Sequence, residues 1–361
     1  MQNIQSSRRK FLTDLTLGFG GTVLLSSFGR CETKTSPAFS STSNQKKLGI
    51  ALVGLGGYSN GQLAPALQET KNCHLAGIVT GTPAKEKLWA EKYNIPQKNI
   101  YNYQNFDTIR DNKDIDIVYV VLPVGMHKEF TIRAANAGKH VICEKPMAVN
   151  AAECREMIDA CKKANRLLSI GYRLHFEPFN MEAMRIGQQK LYGKIKTINA
   201  ENGYTMGNNT NSWRLNKALA GGGGLMDMGV YAIQAARYTT GEEPAYVTAR
   251  EEKLRPDVFK EVDETIYFDL DFDSGTKAKC LSSYNKNASR LRAEADKGWF
   301  EISPAFYYSG QVGRTSDGPM NFDNNFFEQV AQMDDFAICV QQNKPSKISG
   351  EEGLRDMLVV D

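Results

Sequence analysis

Residues 48–53, Leu-Gly-Ile-Ala-Leu-Val, run without a break into Gly54-Leu55-Gly56-Gly57-Tyr58-Ser59, and residues 60–69 beyond them have helical character. An apolar strand that turns through glycines straight into a helix leaves few folds open. Such a strand is covered on both faces and belongs to a parallel sheet. Gly54 permits the tight turn, and Gly56 lets backbone approach a pyrophosphate. Ser59 stands at the third small position, where helix and strand pack closely. The helix start adds free N–H groups and positive potential, so residues 54–59 read as a dinucleotide cradle; the plainer alternative is a glycine-rich turn with no ligand.

The same alternation continues. A strand over 74–79 ends at Thr80, where an NAD-preferring site would carry an acid for the ribose 2′-hydroxyl, and none is there. Thr80 as a donor and Lys85 as a point charge suit a 2′-phosphate instead, which favours NADP. Helices follow over 84–93 and around 106–111, then a buried strand over 115–122 ending at Pro123, and a helix over 127–137 opened by His127. His127 follows a strand-end turn from which it could touch the nicotinamide ribose. With a strand over 141–143, a helix over 151–164 and a strand over 167–171, a doubly wound parallel sheet, a Rossmann domain over 48–171, is predicted.

The strand over 141–143 stops at Glu144-Lys145-Pro146. Ligands of open α/β sheets bind at carboxyl ends of strands, and Pro146 keeps Lys145 out of the helical region, so the lysine is aimed by covalent geometry. A half-exposed Glu144–Lys145 ion pair capping a strand is the plainer alternative.

From Tyr172 the texture changes. Residues 265–272 alternate apolar and polar side chains, as in an antiparallel sheet with one covered face. An α+β C-terminal domain over 172–361 follows, with a large, mostly antiparallel open sheet and a last helix, from 353 onward, returning toward the first domain. Within it, four glycines at 221–224 precede Asp227 and Tyr231, which share a face at i and i+4 if the segment is helical. A carboxylate beside a phenol can handle protons, and a lysine ammonium nearby favours phenolate over a phenol that ordinarily ionises near ~10. An acid near a helix start beside a packed tyrosine would look the same. His175 and His140 are weighed as packing histidines at strand ends.

Lysine plus arginine, 44, against aspartate plus glutamate, 41, leaves +3, no electrostatic footprint for nucleic acid. The seven cysteines include no C-x-x-C pair and no histidine at ligand spacing, which speaks against a metal site. Cys154 and Cys161 are too far apart along a helix to bond and read as packed thiols. Residues 1–38, with Arg8-Arg9 ahead of a short, modestly apolar run, have the form of a twin-arginine export signal, followed by a flexible arm over 39–47. The run is too short and too polar for a stable membrane span.

Taken together, the leader, Gly54–Ser59, the turn at Thr80–Lys85, Leu122-Pro123 with His127, Glu144-Lys145-Pro146, the segment from Trp213 to Tyr231 and Gly241–Pro244 resemble the Gfo/Idh/MocA family of sugar oxidoreductases. Within it, the likeness is to the glucose-fructose oxidoreductase branch. The resemblance implies catalysis by Lys145 and Tyr231 with support from Asp227. It implies cofactor contacts from Gly54, Leu55, Gly56, Gly57, Tyr58, Ser59, Thr80, Lys85, Leu122, Pro123, His127, Glu144, Lys145, Arg173, Trp213 and Arg214. Lys145, Arg173, Asp227 and Tyr231 would also face the sugar. Tightly held NADP would take hydride from C1 of an aldose, giving a lactone, and return it to a ketose, giving an alditol. A periplasmic homo-oligomer, dimer or tetramer, exported folded by the twin-arginine machinery, is expected.

Three departures accompany this. Val124 stands where relatives have Asn, the arm before Leu48 is short, and the chain stops at Asp361 within a predicted helix where relatives continue. Rival readings are an aldose 1-dehydrogenase using free NADP, a nicotinamide-dependent glycosidase and a sugar sensor without turnover.

Overall fold

The structure, a computed structural model, describes residues 46–207, 211–323 and 326–361. The leader expected over 1–38 and the arm as far as residue 45 lie outside the described residues. Six strands, β1 (Leu48–Val53), β2 (Cys73–Val79), β3 (Ile100–Tyr101), β4 (Ile117–Val120), β5 (His140–Cys143) and β6 (Leu168–Ile170), form a parallel sheet in the order β3-β2-β1-β4-β5-β6. The order reverses between β1 and β4, the switch point at which such sheets open a crevice.

Alternate residues of these strands serve two cores. Val53, Val118, Val120 and Val141 face Phe130 and Met157 on one side, and Ile50, Leu52, Ile117 and Ile142 face Leu63, Met333 and Phe336 on the other. Burial on both faces explains why the strands read as continuous apolar runs rather than as an alternation.

The predicted strand over 115–122 is shorter in the fold. Val121 N still donates to Val53 O at 2.8 Å, but Leu122 and Pro123 leave the ladder and become a wall of the crevice. The helix expected over 60–69 is a π-wound turn, Ser59–Leu63, continued by Ala64–Ala66. Pro65 has no N–H to give to the preceding turn, so a regular α ladder cannot run through it. Helices α1 (Pro83–Tyr93), α2 (His127–Asn136) and α3 (Ala151–Lys163) lie where the sequence places them, and Cys154 and Cys161 are buried free thiols.

The second sheet has eight strands: β7 (Ile195–Gly203), β8 (Pro244–Glu252), β9 (Thr265–Phe272), β10 (Lys277–Ser283), β11 (Ala288–Ala295), β12 (Gly298–Ile302), β13 (Gly313–Thr315) and β14 (Gly318–Pro319). Their order is β14-β13-β12-β11-β7-β10-β9-β8, antiparallel throughout except for the parallel β7–β10 pair. Helices α4 (Pro178–Gln188) and α5 (Val230–Thr240) cover one face, over Ile198, Phe268, Leu270, Leu291 and Phe300. Each such buried side chain stabilises by about 1.5–3 kcal/mol.

Two late helices cross back to the first sheet. In α6 (Glu328–Gln342), Met333, Phe336 and Ala337 complete the layer over β1 and β4. In α7 (Gly350–Val360), Met357 joins the opposite core, and Ser349 just before it bridges to Ser169 of β6. The last helix, read from the sequence as running from 353 onward, starts at Gly350.

Candidate active site

The turns leaving β1, β2, β4 and β5 at the carboxyl edge of the first sheet open onto one cleft of about 480 Å³, closed from the other side by Trp213, Arg214, Met226, Asp227, Tyr231, Tyr284 and Tyr308. Gly54 begins the wall with φ of +95°, and a Cβ there would lie 2.4 Å from Val121 O, so no other residue fits this turn. At Gly56 and Gly57 a Cβ would meet nothing within 4 Å. Bare backbone at the start of a helix, facing open cleft, is the surface a pyrophosphate requires, so these residues fit the dinucleotide predicted from sequence. Ser59 is not part of that surface. It is fully buried, and its hydroxyl donates to Gly54 O at 2.6 Å, holding the turn from behind.

Thr80 lies at the end of β2 and accepts from Thr82 N at 3.2 Å, while Lys85 Nζ reaches across to donate to Leu55 O at 2.8 Å. Both line the cleft, joined by Tyr103, and no carboxylate lies among the cleft residues of this corner. The ammonium therefore brings positive charge to the cradle where an acid would otherwise read a ribose.

Glu144 and Lys145 leave β5 at the cleft floor, and the Lys145–Pro146 peptide is cis. Glu144 points inward: Tyr119 OH donates to its Oε1 at 2.7 Å and Lys145 N to its Oε2 at 3.2 Å. Burial pushes this carboxyl up, against the pull of the Tyr119 hydroxyl and the Lys145 ammonium. Lys145 Nζ crosses the cleft to donate to Asp227 O at 2.7 Å, with Asp227 Oδ1 at 3.5 Å, and sits 4.5 Å from the centroid of the Tyr231 ring.

Asp227 and Tyr231 do project together, by a winding the sequence did not predict. Residues Leu225–Gly229 form a π-turn ahead of α5, entered through Gly223, where a Cβ would lie 1.9 Å from Asp263 O. The Asp227 carboxylate takes Arg214 Nε at 2.9 Å and Tyr284 OH at 3.0 Å besides the lysine. Burial would raise its pKa, but Lys145, Arg214 and Tyr284 outweigh it and hold the carboxyl below the ordinary aspartate range.

Three residues assigned by resemblance hold other positions. Arg214 lines the cleft but is committed to Asp227 and packs over Trp213 at 4.6 Å, so it stands with that carboxylate rather than as a free phosphate ligand. Each ring nitrogen of His127 lies against a backbone carbonyl, Pro146 O at 2.9 Å and Leu122 O at 2.8 Å; a neutral imidazole donates to one of the two, and the ring is turned toward these turns rather than toward a ribose. It ties the turn after β4 to the turn after β5. Arg173 is 2 % exposed and absent from the cleft wall, because its guanidinium donates to Glu328 and to the carbonyls of Phe306 and Tyr307. His175 sits behind the site on Gln234 at 2.9 Å.

Sequence reasoning missed Tyr284, Tyr308 and Tyr103. Tyr308 comes from the loop after β12, lines the cleft and stacks on Tyr58 with ring centroids 6.0 Å apart. Nothing local marks these tyrosines, since each reaches the cleft only through the packing of distant segments.

Comparison with known proteins agrees with this geometry. Residues 48–172 match an oxidoreductase family with an NAD-binding Rossmann fold, GFO_IDH_MocA, and residues 181–301 match the GFO/IDH/MocA C-terminal domain. The crystal structure of aldose-aldose oxidoreductase from Caulobacter crescentus, complexed with glycerol, superposes with a TM-score of 0.84 at 44% identity, over 87% of this chain and 96% of that one. D-xylose 1-dehydrogenase [NADP(+)] from Haloarcula marismortui is 26% identical over 88% of this chain and 90% of its own length. A trans-1,2-dihydrobenzene-1,2-diol dehydrogenase of Xenopus laevis is 33% identical over 66% of this chain and 73% of its own.

Proposed function

This chain belongs to the Gfo/Idh/MocA oxidoreductase family, and from that premise we propose an NADP-dependent sugar oxidoreductase that oxidises C1 of an aldose to a lactone and reduces a ketose to an alditol. NADP, held by residues 54–58 with Thr80 and Lys85, would carry the hydride between the two sugars.

The single observation behind this is the meeting of Lys145, from the cleft floor, with Asp227 and Tyr231, from the wall facing the bare glycine cradle. Tyr231 takes the proton of the sugar C1 hydroxyl and later returns it to the ketose oxygen. Lys145, charged and 4.5 Å from that ring, stabilises the negative oxygen formed and holds the sugar hydroxyl. Asp227 keeps the ammonium in place through its own backbone carbonyl and carboxylate, and it is kept ionised by Arg214 and Tyr284. The missing acid beside Thr80 and the ammonium of Lys85 support NADP over NAD. Export through the twin-arginine signal and homo-oligomerisation on the open face of the second sheet belong to the same proposal, and a cofactor recycled between two sugars suits a compartment without an NADP pool.

The test is to purify the protein with no nucleotide added and follow the near-ultraviolet absorbance of reduced nicotinamide while adding glucose, then fructose. A rise that fructose reverses is the expected result. Absence of any signal until NADP is supplied overturns the shuttle in favour of an aldose dehydrogenase, the second reading, which the likeness to D-xylose 1-dehydrogenase favours.

A further inference from the structure

We propose that Arg173, which never reaches the cleft, is a positioning residue that braces Tyr231 and Tyr308 from behind and sets the charge under which Tyr231 works. The inference rests on the reading of Tyr231 as the proton acceptor. Arg173 leaves the short turn after β6, and its guanidinium carbon lies 5.5 Å from the Tyr231 ring centroid and 4.3 Å from that of Tyr308. It is pinned by Glu328 Oε1 at 2.7 Å, from the start of α6, and by Tyr307 O at 3.2 Å and Phe306 O at 2.5 Å. The last two belong to the loop that carries Tyr308 to the cleft. One buried fork therefore fixes that loop, the second tyrosine and the ring of the first.

Arginine suits this task better than lysine, because its planar fork serves several acceptors while its face lies against rings. The charge is not spent on Glu328 alone: Nε is buried with no partner among the described residues, and two of the other acceptors are neutral carbonyls. Tyr231 is thus bracketed by two cations, Lys145 from the turn after β5 and Arg173 from the turn after β6. The other titratable groups around this ring are Asp227 on the π-turn before α5, Glu144, Tyr58 and Tyr308, with Glu328 and Glu177 behind the arginine. Replacing either the arginine or its carboxylate changes the field on the base from a position that does not itself line the cleft.

The experiment uses the full-length enzyme and the variants Arg173→Met and Glu328→Gln. Ionisation of Tyr231 is read without sugar as the ultraviolet titration difference against Tyr231→Phe in the same background. Arg173→Met should move that curve to higher pH, and Glu328→Gln, which unmasks the guanidinium, to lower pH, each by about half a unit or more. In turnover, Arg173→Met should lower kcat about tenfold or more with the sugar KM within about twofold. Curves that stay in place in both variants overturn the proposal and leave Arg173 as a fold support only. Should Arg173→Met fail to fold, the shift in Glu328→Gln decides alone, and because the titration needs no substrate, a wrong functional assignment cannot be mistaken for a wrong role of Arg173.

Discussion

Tyr231, Lys145 and Asp227 are three residues from two distant segments, yet each was legible as a chemical group before its neighbours were known. Lys145 is aimed by the proline after it, and the spacing of Asp227 and Tyr231 survives the change from α to π winding because both still face the cleft. The roles of Arg173, Arg214 and His127 were not legible, since what decides them is whether a buried partner claims the side chain first. Glu328, Asp227 and two backbone carbonyls do so, and no local pattern in the sequence announces any of them. At this scale the prediction concerns the base. Tyr231→Phe removes one oxygen from the cleft wall and no packing, so NADP retention and melting temperature should stay at wild-type values. Turnover should fall by about 10²–10⁴-fold, the usual worth of a positioned proton acceptor. Normal turnover in stopped-assay kinetics would move the base elsewhere, with Tyr308 the next phenol to test.

At the scale of elements, the cradle separates two uses of glycine that a sequence cannot tell apart. Gly54 is required by the fold, with φ of +95° and Val121 O behind it, whereas Gly56 is free of any neighbour that a Cβ would touch. Gly56→Ala should therefore melt within a few degrees of wild type but bind NADP at least about tenfold more weakly, near 1.4 kcal/mol, by isothermal titration. Gly54→Ala should lose both, since a left-handed backbone alone costs about 1–2 kcal/mol per residue. Equal melting temperatures for the two variants would show that the turn tolerates a side chain. The strand and helix pattern over 48–171 was readable for the same reason that the glycines were: each unit is closed locally by a turn. The second sheet was readable only as a class. Its order, its parallel β7–β10 pair and the return of α6 over β1 and β4 depend on pairings across tens of residues, which periodicity does not encode.

At the scale of the whole molecule, the two sheets are joined by a buried polar staple. Asp356 of α7 accepts Tyr172 OH at 2.5 Å, Gln234 Nε2 at 2.8 Å and Arg237 NH1 at 2.5 Å, and so binds the end of the first sheet to α5, the helix that follows the π-turn of Asp227. Burial raises the Asp356 carboxyl from 3.8 to about 6, against the pull of Arg237 and the two hydrogen-bond donors. The sign follows from linkage. The folded state keeps a proton that the unfolded chain has already lost, so the favourable contribution is complete below 3.8 and is withdrawn as pH rises to about 6. Two units correspond to roughly 3 kcal/mol at 1.36 kcal/mol each. Asp356→Asn, a neutral copy of the protonated acid, lacks this titration. Urea unfolding of both proteins from mildly acidic to neutral pH should show the stability of the wild type falling relative to the variant through that window and running parallel above it. A relative gain over the same window would mean that the Arg237 pair overrides burial and holds the carboxylate charged. In that case the staple would be an ion pair that loosens in acid, and the site on α5 would lose its brace at low pH rather than at high.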